Sequence, residues 1–337
     1  MSKIFIMGCG GMGTAIAVAM NAAGHDVTLW GFLKSENDQL REHRENITLL
    51  KGVEIPQGID IVDTVEKAGT ADVVIIATPT VGVRATVKLL NGIVSPNTPV
   101  ACVSKGLEPK TLKTFDVVVD EELPGTPFVA LSGPSHAEEI ARGKLTILVA
   151  ASKSADAARK IQDLTQNTQI RIYTSSDVLG VELGGALKNV IAFAAGIIDG
   201  MECGDNTKAA LMTRGLTEIA RLGRAMGARE ETFAGLSGVG DLIVTCCSMH
   251  SRNRRCGMYV GEGMTVSQAV EKVGMTVEGI TAALCAYELS QRLGVVMPIT
   301  TQIYNLIEGS VTAKESIDSL LKRPLKDEID SIWLEDN

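Results

Sequence analysis

The stretch "KIFIMGCGGMGTAIAVAMNAAG", Lys3–Gly24, constrains this chain more than any other. Lys3–Gly8 is a short apolar run that reads as a buried strand. Met12–Gly24 reads as an alanine-rich helix closed by glycine. Between them Gly8, Gly10 and Gly13 stand in G-x-G-x-x-G spacing. The spacing alone is weak, but strand, glycine turn and helix form the context that gives it meaning. Gly8 then allows the tight turn, Gly10 lets the backbone approach a pyrophosphate, and Gly13 lets helix and strand pack closely. The helix N-terminus offers N–H groups to the phosphates. A glycine turn without a ligand would need no such placement, so a bound dinucleotide is expected.

The rest of the first half alternates in the same way. His25–Trp30, Asp72–Thr78, Pro99–Ser104, Pro127–Ser132, Leu145–Ala151 and Gln169–Ser175 are further strand candidates, with a polar helix over Ser35–Asn46. Continuous apolar runs suit strands covered on both faces, hence a mostly parallel sheet. After about Asp177 helical periodicity takes over: Val181–Ile198, Ala209–Met226, Thr265–Val273, Ile280–Arg292 and Thr300–Leu306. A chain of 337 residues is too long for one typical core. The expected architecture is an α/β Rossmann-type N-terminal domain over residues 1–178 and an all-α C-terminal domain over 179–337, the latter holding substrate and catalytic groups. The acidic end "KDEIDSIWLEDN" reads as a short tail.

Several function classes are disfavoured by simple totals. The net charge of -8 argues against a nucleic-acid partner. Seven cysteines without a CxxC pair, and four histidines without HExxH, give no zinc pattern or disulfide framework. Buried free thiols in a reducing compartment are expected instead. No secretory signal pattern opens the chain. The longest apolar run, Val190–Ile198, is too short to span a bilayer. A cytoplasmic protein with no membrane span is expected.

The cofactor's identity should be written at the end of the second strand, where an acidic residue would accept from the ribose 2′-hydroxyl of NAD. That strand ends "LWGFLKSE", with Glu36 several residues on. Lys34 could meet a 2′-phosphate or simply be solvated at a helix start. NAD and NADP both remain open.

Other polar residues fall at the carboxyl ends of strands, where such sheets bind ligands. Lys105 follows the Pro99 strand; Gly133, Ser135 and Ala137 follow the Pro127 strand. His136 reads better as a helix-start residue than as an acid or base. In the second half, Lys188 sits in "GGALKNVIAFAAGI" with Val181, Gly184, Gly185, Ile191, Ala192 and Ala195 as its helical neighbours. A lysine on an apolar face either snorkels to water or points into a site. Asp241 follows a glycine turn and reads as a helix N-cap or as a carboxylate serving a buried lysine. Ser251, Arg252, Asn253, Arg254 and Arg255 form a basic cluster suited to a phosphate, or a solvated loop. Together these suggest hydride transfer to a phosphorylated ketone, with Lys188 giving the oxygen its proton. Apolar surroundings would lower the Lys188 pKa, and a nearby carboxylate would oppose that.

"GCGGMGTAIA", "SKGLEPKT", "LSGPSHAEEIA", "VELGGALKNVIAFAAGI", "GVGDLIVTC", "SRNRRCG" and "VEG", in this order, resemble the NAD(P)-dependent sn-glycerol-3-phosphate dehydrogenases of the bacterial type. The resemblance implies interconversion of dihydroxyacetone phosphate and sn-glycerol 3-phosphate, which supplies glycerophospholipid synthesis. It implies Lys188 as proton donor and acceptor and Asp241 as its catalytic companion. Lys105, Gly133, Ser135, Lys188, Asp241, Ser251, Arg252 and Asn253 match substrate contacts. Gly11, Met12, Phe32, Lys105, Ala137, Arg252 and Glu278 match positions that meet NAD or NADP, beside the Gly8, Gly10 and Gly13 of the glycine fingerprint. It also implies a homodimer. Met12 and Phe32 depart from the residues usual in the family, and both touch the cofactor pocket. A 6-phosphogluconate or short hydroxyacid dehydrogenase would share the layout without this motif set. A dinucleotide sensor without catalysis would not need Lys188 and Asp241.

Overall fold

The computed structural model describes residues 1–324. The tail expected at "KDEIDSIWLEDN" lies outside the described residues. Packing divides the chain into two compact units. The first is Met1–Ala186 with Glu231–Val244, and the second is Leu187–Glu230 with the residues from Thr245 onward.

The first unit is built on one eight-stranded sheet in the order β3-β2-β1-β4-β5-β6-β7-β8. The strands are β1 Lys3–Met7, β2 Asp26–Trp30, β3 Ile59–Val62, β4 Val73–Ile76, β5 Val100–Cys102, β6 Phe128–Ser132, β7 Thr146–Ala151 and β8 Ile170–Ser175. Every pairing is parallel except β6 with β7. The helices are α1 Gly11–Ala22, α2 Lys34–His43, α3 Val83–Lys88, α4 Phe115–Glu122, α5 Ala137–Ala141 and α6 Ala155–Leu164. The central strands β4 and β5 are apolar throughout because both their faces are covered. Ile4 and Ile6 join one core with Val27, Leu29, Val73 and Ile75. Phe5 and Met7, one residue out of phase, join the other with Trp30, Val74 and Ile76. This is the Rossmann-type α/β sheet the sequence implies.

β3 carries no apolar run of its own and was not among the expected strands. It is a four-residue edge strand with alternating burial, placed by pairing Val27 with Ile59. Its signal is tertiary. The chain order reverses between β1 and β4, and ligands bind outside such a switch point.

Among the described residues after β8 the regular elements are helical: α7 Val178–Gly200, α8 Asp205–Met226, α9 Glu230–Phe233, α10 Asp241–Cys247, α11 Arg252–Gly261, α12 Val266–Val273, α13 Glu278–Leu293, α14 Pro298–Ile307 and α15 Ala313–Leu321. The boundary between units falls inside α7, between Ala186 and Leu187. At 23 residues and a mean hydropathy of 1.5, α7 is long and apolar enough to cross a membrane, but that window is 100% buried inside the protein. It is a core helix. In the second unit α7 and α11 meet backbone to backbone. A Cβ on Gly196 would lie 2.0 Å from the Arg254 carbonyl oxygen, and one on Gly257 would lie 2.0 Å from that of Phe193. Gly200 and Gly261 make similar approaches on the next turn, 2.2 Å to the Met258 oxygen and 2.4 Å to the Ile197 oxygen. The small residues of α7 thus have a packing cause.

Candidate functional site

The three glycines of the first loop separate by geometry into different tasks. Gly8 has φ +119, and a Cβ there would lie 2.7 Å from the Ala77 carbonyl carbon at the end of β4. A Cβ on Gly13 would lie 1.8 Å from the Gly8 oxygen, so α1 can pack on this loop only with glycine there. Gly10 differs: a Cβ there would meet nothing nearer than the Leu49 Cδ1 at 4.0 Å. Folding does not demand glycine at that position. A ligand drawn up to the backbone would, as a pyrophosphate does in such loops. α1 opens at Gly11 with no acidic side chain in its first turn, as an anion at its N-terminus would need. The residues present fit a dinucleotide.

Met12 and Ala137 pack against the same core cluster as Ala77. Met12 lines a cavity of about 30 Å³ with Val103, Lys105, Leu131 and Ser135. Phe32 is 78% exposed just beyond β2. His136 is the N-cap of α5, the plainer of its two readings.

Lys105 gathers three oxygens of the first unit. Its Nζ donates to the Gly133 carbonyl at 2.8 Å, to Ser135 Oγ at 3.0 Å and to Asp241 Oδ2 at 2.8 Å. Ser135 in turn donates to the Gly133 carbonyl at 2.8 Å. The Asp241 side chain is 1% exposed and that of Lys105 16%. β5 delivers Lys105 and β6 delivers Gly133 and Ser135 beyond their carboxyl ends. Gly133 holds φ +127, which favours glycine and turns its carbonyl to the lysine. A Cβ on Gly185 would lie 2.7 Å from Ser132 Oγ, so the close approach there is to the end of β6. Asp241 opens α10 after a single π-helical turn, Leu236–Gly240. Its carboxylate therefore serves a lysine as well as beginning a helix. Such a cluster can hold a polar substrate group among fixed charges in a poorly hydrated place.

In the second unit Lys188 is 5% exposed. Its Nζ donates to Thr245 Oγ1 at 2.6 Å, and Thr245 is 4% exposed. The ammonium is therefore held inside rather than snorkelling to water. The sequence reading missed Thr245. Its only signal is that it stands four residues after Asp241 on α10, on the same helix face.

The basic cluster is a helix start. Ser251 caps α11, accepting from the Arg254 N–H at 3.2 Å. Arg254 Nε donates to Asp199 Oδ2 at 2.7 Å, and Lys208 reaches the other oxygen at 2.6 Å, so Arg254 is a packing residue. Arg252 is exposed in the first turn. Asn253 is buried: its Nδ2 donates to Asn189 Oδ1 at 2.9 Å, and its Oδ1 accepts from the Gly279 N–H at 2.8 Å. It ties α11 to α7 and to the start of α13, where Glu278 stands. Asn189, another residue the sequence reading passed over, is thereby fixed beside Lys188.

Known proteins carry the same pattern. Residues 3–158 match the sequence model "NAD-dependent glycerol-3-phosphate dehydrogenase N-terminus", and residues 177–318 match that of the C-terminus. A glycerol-3-phosphate dehydrogenase (NAD(P)+) of Desulfitobacterium hafniense is 45% identical over 334 residues, covering 99% of this chain and 95% of that protein. The Bacillus anthracis enzyme of the same name is 45% identical over 336 residues, covering 98% and 99%. The crystal structure of the glycerol-3-phosphate dehydrogenase from Coxiella burnetii superposes with a TM-score of 0.92 at 31% identity, covering 96% and 99%. A D-mandelate dehydrogenase, at 16% identity and a TM-score of 0.63, shares the fold alone. With both halves matched in order, the chain belongs to the NAD-dependent glycerol-3-phosphate dehydrogenase family.

Proposed function

We propose that this chain interconverts dihydroxyacetone phosphate and sn-glycerol 3-phosphate, with Lys188 as the proton donor and acceptor. The observation that carries this reading is the buried Lys188 ammonium, fixed by the Thr245 hydroxyl at 2.6 Å. A bound NAD or NADP supplies or takes the hydride. Lys188 gives the ketone oxygen its proton in reduction and takes it back in oxidation. Lys105, Gly133, Ser135 and Asp241 bind and orient the polar end of the substrate. Ser251, Arg252 and Asn253 receive the phosphate, using the Arg252 fork and the N-terminal N–H groups of α11. Asn253 acts mainly by holding that turn, since both ends of its amide are engaged within the fold.

In this reading residues 1–178 carry the dinucleotide, through Gly8, Gly10, Gly11, Met12, Gly13, Phe32, Lys105 and Ala137. Residues 179–337 carry substrate and catalysis, and the family resemblance assigns Arg252 and Glu278 to the dinucleotide as well. The family resemblance further supports a cytoplasmic homodimer supplying glycerophospholipid synthesis. The negative net charge of -8 supports a partner list without nucleic acid.

The test follows NADH and NADPH absorbance with dihydroxyacetone phosphate, running Lys188→Ala beside the wild type. Turnover that falls by about 10²-fold or more in a folded variant supports the assignment. Wild-type protein that binds a dinucleotide yet never oxidises it with this ketone overturns it.

A further inference from the structure

No carboxylate ends β2 in the sequence, yet the fold brings one to that place. Glu36 is exposed in the first turn of α2, and its Oε2 accepts from the Cys9 thiol at 3.7 Å. Cys9 belongs to the glycine loop and immediately precedes Gly10. It also packs on Gly31, the residue after β2, where a Cβ would lie 2.4 Å from Cys9 Sγ. The thiol thus joins the loop to the strand end, and the carboxylate rests on it. Burial, and then the Glu36 charge, push the Cys9 thiol up to about 11. It keeps its proton at neutral pH and remains a donor to Glu36.

The nearby cations of α2 are engaged elsewhere. Lys34 Nζ pairs with Asp38 at 3.0 Å. Arg41 Nη2 pairs with Asp38 at 2.6 Å and Asp63 at 3.0 Å, and its Nη1 donates to the Ile61 carbonyl at 3.0 Å. Phe32 adds an uncharged surface, its ring edge-on to Trp30 at 6.3 Å.

We propose that Glu36 selects the cofactor, accepting from the adenosine ribose 2′-hydroxyl and repelling a 2′-phosphate, so that this chain prefers NAD to NADP. The hydroxyl is a donor and suits a carboxylate. A phosphate there would set like charges together, and Arg41, the more enclosed of the two cations, is bound to both Asp38 and Asp63. This rests on the dinucleotide reading given above.

The test titrates the purified full-length protein with NADH and with NADPH, following nicotinamide fluorescence without substrate, for the wild type and Glu36→Gln. The wild type is expected to bind NADH about tenfold more tightly or better, and Glu36→Gln to shrink that ratio by about fivefold or more with thermal unfolding unchanged. Equal or tighter binding of NADPH by the wild type, or a ratio that Glu36→Gln leaves unmoved, overturns the proposal. Binding of neither dinucleotide overturns the underlying reading instead.

Discussion

Buried Asp241 and partly buried Lys105 form an ion pair, 2.8 Å from carboxylate to ammonium, across 136 positions of sequence. A buried charge left without its partner costs about 3–5 kcal/mol. Asp241→Asn leaves Lys105 with the Gly133 and Ser135 oxygens, so it should lower unfolding stability by a smaller amount, about 1–2 kcal/mol in urea titration, and reduce turnover as well. Adding Lys105→Met should restore part of the stability and none of the turnover. If Asp241→Asn unfolds like the wild type, the pair is not the anchor described.

Thr245 accepts from Lys188, the proposed proton donor, so its hydroxyl should matter to the rate more than to substrate affinity. Thr245→Val should lower kcat by about tenfold or more with little change in KM, and Thr245→Ser should stay near the wild type. Steady-state kinetics on the three proteins decide this. An equal loss in the valine and serine variants would point to packing instead.

The glycine loop makes a paired prediction. Gly10→Ala has space in the fold and should keep stability to within about 0.5 kcal/mol while weakening NAD(P)H binding by about tenfold or more. Gly13→Ala must push its Cβ against the Gly8 carbonyl, 1.8 Å away, and should lose about 3 kcal/mol of stability. Calorimetry with a binding titration separates the two. Gly10→Ala with full affinity would remove the pyrophosphate from this loop.

Glu218 caps α14, accepting from the Ile299 N–H at 2.6 Å and the Thr300 N–H at 3.1 Å. Burial pushes its carboxyl from 4.5 up to about 7, against those hydrogen bonds. The folded state thus holds the proton more tightly than the unfolded state. Its stabilising contribution is complete below about pH 4.5 and lost as pH rises through about 7. Unfolding free energies at pH 5 and pH 8.5 should reveal this. Their difference should change by up to about 3 kcal/mol in Glu218→Gln, which cannot ionise. Identical pH dependence in both proteins would rule the effect out.

Local features proved legible where burial and backbone geometry act over a few residues. β1, the glycine turn and α1 could be read because a buried strand, a tight turn and a glycine-stopped helix each leave a short-range pattern. The apolar setting of Lys188 was equally readable from its helical spacing. β3 was not, since four residues on a sheet edge carry too little periodicity. The basic cluster divided in a way its composition could not indicate: Arg254 binds Asp199, while Arg252 is exposed.

The sequence by itself determined the alternation of strands and helices, the glycines at the switch point and a lysine within an apolar helix. It did so because side-chain period and backbone freedom are properties of neighbouring residues. Only the tertiary structure decided the pairings: Asp241 with Lys105, Thr245 with Lys188, Asn253 with Asn189, and Glu36 with the thiol of the glycine loop. Each joins residues from 27 to 136 positions apart. A hydrogen bond is fixed by distance and direction in space, and separation along the chain encodes neither.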